Sequence, residues 1–118
     1  MIVKEGVDLS GVRPDLLRLL AIADEAHMAV FGEEAVLTSA IRKPTNKVSL
    51  HPYGLAADLR DIYYYASPDK PLSDAQKKLQ QVFVGLVLAR ARAAGIFGVE
   101  MIHHGPTPHF HMEIDPKP

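Results

Sequence analysis

Two short segments hold the side chains whose types and spacing could do chemistry. The first, SLHPYGLAADLR from Ser49 to Arg60, sets His51 ahead of a glycine turn and places Asp58 in the middle of the apolar run Leu55-Ala56-Ala57-Asp58-Leu59. A buried carboxylate is costly unless something pairs with it, and a metal ion is such a partner. The second, PHFHMEID, alternates: on a strand His109, His111 and Glu113 point to one face, while Phe110, Met112 and Ile114 point to the other. His51, Asp58 and His111 supply two imidazoles and one carboxylate, the three-protein-ligand set of a catalytic zinc that keeps a fourth position for water. Gly54 would let the chain turn so that His51 and Asp58 meet at one ion. Taken singly, a polar surface strand gives the same HxH pattern, His51 could be a loop histidine beside Pro52, and Asp58 could pair with Arg60 or another arginine. Jointly these alternatives explain less than a metal does. His27 lies mid-helix and reads as a surface or core-rim residue. His103 and His104 are adjacent on a strand, so at most one can face such a site, and both read as rim residues.

The elements that must position these residues follow from periodicity and punctuation. Apolar residues recur at three-and-four spacing from Pro14 to Val30, with proline in the first turn, Asp15 near the start and Gly32 just beyond the end, which predicts a helix. A second long helix opens at Ser73, with Gln76 completing a capping box, and closes at Gly95; its apolar middle should be buried. The opening stretch, Ala35–Arg42, Phe97–His104 and His109–Asp115 read as short strands, and Tyr63–Leu72 as a loop rich in turn residues. The expected fold class is α+β, a small antiparallel sheet with two long helices on one face, forming a single domain over residues 1–118.

Composition narrows the partners. The chain of 118 residues is 47% apolar, enough for an ordinary globular core. Its 13 basic and 14 acidic side chains are well mixed, so no basic face exists for nucleic acid. With no cysteine, disulfides, thiolate zinc sites and iron–sulfur clusters are excluded, and the six histidines are the remaining soft ligands. Glu5 and Asp8 interrupt the N-terminal stretch, which does not read as a secretory signal, and VFVGLVLA is too short to span a bilayer. The sequence predicts a cytoplasmic protein, as synthesised, with no membrane partner.

SLHPYGLAAD resembles the S-x-H-x-x-G-x-A-x-D motif of zinc D-alanyl-D-alanine carboxypeptidases and L-alanyl-D-glutamate endopeptidases, which share their fold with the hedgehog signalling domain. Every fixed position is matched. TSAIRKP resembles the T-S-G-Y-R segment that precedes the motif in those enzymes, with Ala40 and Ile41 in place of Gly and Tyr, and HFH resembles their terminal H-x-H. The likeness runs from about Thr38 to Asp115. It implies a Zn2+ ion held by His51, Asp58 and His111, and a substrate carboxylate or polarised carbonyl held by Ser49 and Arg42. It also implies hydrolysis of a peptide bond in peptidoglycan stem peptides by metal-activated water. By analogy, such an enzyme could serve phage or prophage lysis and be released by other means than a signal peptide. One departure matters. Many members carry an acid three residues before the last zinc-binding histidine, and Pro108 stands there. His109 is therefore the first candidate for proton transfer or transition-state stabilisation, with Glu113 and Glu100 next. A metal-stabilised binding or structural module without turnover is the alternative from another class. A non-haem iron oxygenase with two histidines and a carboxylate is disfavoured, because the surrounding Ser, Gly and Ala fit the peptidase motif.

Overall fold

The computed structural model describes residues 1–41, 50–104 and 109–115. Helix α1, Pro14–Phe31, starts with proline in its first turn and stops at Gly32, whose left-handed φ of 74° lets its N–H reach the Met28 carbonyl. It buries Leu16, Leu19, Leu20, Ala23, Ala26 and His27, a stripe at helical spacing. Helix α2, Asp74–Ala93, is opened by the full Ser73–Gln76 capping box and buries Gln80, Phe83, Val87 and Ala91. Both helices begin where the sequence predicts, and their ends lie within two residues of it. No helix among the described residues is long and apolar enough to cross a membrane.

Five strands form one sheet: β1 Ile2–Val3, β2 Val36–Ser39, β3 Ala56–Arg60, β4 Val99–His104 and β5 His109–Ile114, in the order β1-β2-β3-β5-β4. Two expectations need correction. The sheet is mixed rather than antiparallel, because β1 and β2 pair in parallel. Helix α1 connects them, and a crossover through a helix returns the chain in its original direction. The remaining pairs are antiparallel. The second correction is β3, which the sequence does not signal as a strand although it sits at the centre of the sheet. Ala56, Ala57, Asp58 and Leu59 are all buried. A strand covered on both faces loses the polar alternation by which strands are recognised, and alanine is a poor strand former.

Alternation then sorts the sheet into two faces. Leu37, Ala57, Leu59, Phe110, Met112 and Ile114 join Leu16, Leu19, Phe83 and Val87 in one core cluster, so the helices cover that face. Asp58 and Arg60 of β3, with His109, His111 and Glu113 of β5, leave from the other. A bulge interrupts β2 beside them: Leu37 pairs with Leu59 but Ser39 with Asp58, leaving Thr38 as the extra residue. Its hydroxyl donates to the Asp58 carbonyl at 3.2 Å.

Candidate metal centre

The antiparallel register of β3 and β5 sets Asp58 opposite His111, Arg60 opposite His109 and Ala56 opposite Glu113. Facing residues on neighbouring strands lie close enough for side chains to interact directly, so the sheet itself brings two of the candidate ligands together. The third arrives by a turn. His51–Tyr53 form a single 3₁₀ turn that ends at Gly54, whose φ is 72° and whose N–H donates to the His51 carbonyl at 3.2 Å. A Cβ at Gly54 would stand 2.2 Å from the Gly11 carbonyl oxygen, and the Arg13 N–H donates to the Gly54 carbonyl at 3.0 Å. Glycine is required here by conformation and by space. The segment before α1 thus braces the turn that carries His51.

The His51 side chain is buried, and its Nδ1 lies 2.6 Å from the Ala40 carbonyl, just past the β2 bulge. A carbonyl only accepts, so Nδ1 carries the hydrogen and neutral His51 has its lone pair on Nε2. That Nε2 faces Asp58 Oδ2 at 3.4 Å. Two acceptors at this separation need a proton or a cation between them. His111 presents Nδ1 to Asp58 Oδ1 at 2.9 Å and Nε2 to Glu113 Oε1 at 3.0 Å. One ligand atom from each of His51, Asp58 and His111 lies within 4.8 Å of the others. Two imidazole nitrogens and a carboxylate oxygen gathered this closely fit a tetrahedral zinc site with three protein ligands.

The electrostatics describe a site that holds positive charge. Burial alone would push the Asp58 carboxyl up, but the hydrogen bond from His111, with His51 when a proton occupies its Nε2 and the nearby His109, holds it far below the usual carboxylate range. His111 moves the other way. Its hydrogen bond to Asp58 raises it above the ordinary histidine value, burial opposes, and Glu113 adds to the rise. Without metal, the His111 ring lies between two carboxylates, both of which favour its protonated form.

His109 reaches back toward the cluster, with Nε2 3.7 Å from Asp58 Oδ1, nearer than the repeat of a strand suggests by itself. Glu113, a candidate for proton transfer, is bonded to His111. Glu100 is exposed and opposite Glu113. Arg42, Ser49 and Pro108 lie outside the described residues. His27 is a core residue: its Nδ1–H donates to the Glu33 carbonyl at 2.6 Å and its ring packs against Phe31 and Phe83. His103, paired with Phe110, leaves the helix-facing side and donates from Nε2 to Asp61. Asp61, buried, also accepts from Gln80 Nε2 at 2.7 Å and from the Tyr63 N–H at 2.9 Å. This second polar group ties β3, α2 and β4 together, and sequence reasoning passed over it. Its signal was parity: Asp61 shares the core-facing phase of Ala57 and Leu59, and Gln80 interrupts the apolar stripe of α2.

Compared with protein-family models, with curated proteins and with solved structures, the chain matches none.

Proposed function

We propose that the chain is a zinc-dependent peptidase of the hedgehog/DD-peptidase fold that hydrolyses peptide bonds in peptidoglycan stem peptides. The observation that carries this reading is the convergence of His51 Nε2, the Asp58 carboxylate and His111 Nδ1 on one point of the polar sheet face, the first two from the ten-residue motif and the third from the H-x-H segment that resemble that family's. A bound zinc supplies Lewis acidity, lowering the pKa of a water toward about 7 and polarising a carbonyl. The chain's own residues do the rest. The Ala40 carbonyl keeps His51 in the tautomer that offers Nε2, and Glu113 keeps His111 in the one that offers Nδ1. His109, on the same face and close to Asp58, is placed to exchange a proton with a water or a leaving amine. Arg42 and Ser49 hold the substrate in this reading.

The test is direct. Zinc-loaded protein should hold one ion per chain and release peptides from purified peptidoglycan. His51→Ala and Asp58→Ala should lose the ion, and His109→Ala should keep it while turnover falls by about a hundredfold or more. Unchanged metal content in the first two variants would sink the metal centre. The engagement of Glu113 with His111 favours a second reading, since it withdraws one candidate base: a metal-stabilised module without turnover, which zinc uptake with no hydrolysis would establish.

A further inference from the structure

Arg60 stands two residues after Asp58 on β3 and opposite His109 on β5, so its side chain leaves the face that holds the metal ligands. It is half-buried, and its guanidinium carbon lies 5.4 Å from the centroid of the Tyr64 ring. Among the described residues that ring is its one polar or aromatic partner; no carboxylate comes within ion-pair range and no acceptor takes its N–H groups. Asp58 is engaged by His51 and His111. Glu33 and Glu34 border a small recess with Arg60 and Tyr64, but Glu34 is held by the Met1 α-amino group at 2.9 Å.

A guanidinium is always charged and carries five N–H donors in a rigid plane matched to a carboxylate. Ion pairing would spend that fork inside the protein; stacking on an aromatic face fixes its orientation and leaves the donors facing outward. We propose that Arg60, seated on Tyr64, is an anion subsite beside the metal centre that receives a carboxylate of the bound peptide. The inference rests on the peptidase reading for its substrate class and adds a residue to it. The carboxylate could be the C-terminal group of the peptide or an acidic side chain within it, and both present the same two oxygens to the fork.

Calorimetric titration separates the possibilities with three probes: acetyl-D-alanyl-D-alanine, its C-terminal amide, and acetyl-L-alanyl-D-glutamic acid amide, whose only carboxylate is on the side chain. Wild-type protein, with and without zinc, should bind at least one of the acids about tenfold more tightly than the amide, the size of one charge-assisted hydrogen bond. Which acid is preferred identifies the source. In Arg60→Gln the preference should fall severalfold even with Arg42 in place, while zinc content stays at one ion per chain. Arg60→Lys should recover only part of it, and Tyr64→Leu, at an exposed position, should reduce it. The inference is overturned if wild-type protein does not discriminate acid from amide, or if Arg60→Gln discriminates as well as wild type. Failure to take up zinc overturns the metal centre alone, because the carboxylate preference is scored separately on metal-free protein.

Discussion

His111 is gripped at both ring nitrogens, and the two grips do different things. Asp58 meets Nδ1 on the side where His51 also arrives, whereas Glu113 meets Nε2 from its own strand, two residues on. A carboxylate on the far nitrogen of a ligating histidine fixes its tautomer and raises its basicity, and losing such a partner commonly weakens metal binding by about 10- to 100-fold. Glu113→Ala should therefore loosen zinc by about that factor, while Glu113→Gln, which keeps an oxygen to accept from Nε2, should retain most of the affinity. Competition against a chromogenic chelator measures both; equal losses would show that the charge matters and not the acceptor. The cluster of His51, Asp58 and His111 was legible beforehand because its members sit in patterns with rigid geometric meaning: a period of two on a strand, and a glycine where a turn is needed. Asp61 and His103 were not. Their pairing depends on which face of the sheet the helices cover, and that is decided by packing across the whole chain.

Among the elements, the helices could be read almost to the residue, since caps and helical periodicity are local signals. Strand β3 could not, because what makes it a strand is the pair of neighbours on either side of it. The parallel pairing of β1 was missed for a related reason: two residues carry no pattern, and the direction of the pair follows from the intervening helix. The 3₁₀ turn at His51–Tyr53 is the element on which the site leans hardest. Gly54→Ala would force a side chain into a left-handed conformation and against the Gly11 carbonyl, where the Cβ would stand at 2.2 Å. Strained backbone of this kind costs on the order of 1–3 kcal/mol before the clash is counted. The variant should melt at clearly lower temperature and bind zinc more weakly than wild type, since the turn that moves carries a ligand. A Gly54→Ala protein with normal melting and normal zinc affinity would mean that the segment before α1 yields easily and braces nothing.

At the scale of the molecule, the proposed metal would compete with protons for the same place, and stability should register it. Asp58 titrates below its ordinary value of 3.8, so what it contributes to the folded state is present above that value and is lost as the pH falls through its depressed pKa. His111 titrates above its ordinary value of 6.5, so its contribution is complete below 6.5 and is lost as the pH rises through its elevated pKa. Metal-free protein should accordingly be most stable in mildly acidic solution, between these ordinary values, and lose stability as the pH passes above neutrality. Zinc bound at the proposed centre should reverse the slope, because it needs His111 without the proton, and ligand bound only to the folded state raises its stability. Melting temperatures with zinc and with chelator, taken across this range, should diverge as the pH rises; curves that stay parallel would show that His111 gives up no proton to the metal. The same pairing of β3 with β5 governs the order in which the molecule can be made. Asp58 and His111 are 53 residues apart, and β5, which lies between β3 and β4 in the sheet, follows both of them in the chain. While the ribosome is still adding residues beyond β4, the nascent chain has both helices but a gap between β3 and β4 and a proposed metal site short of one ligand. Neither the sheet nor the proposed metal site can close until β5 has left the exit tunnel, so folding of the sheet and assembly of the three candidate ligands fall together at that moment.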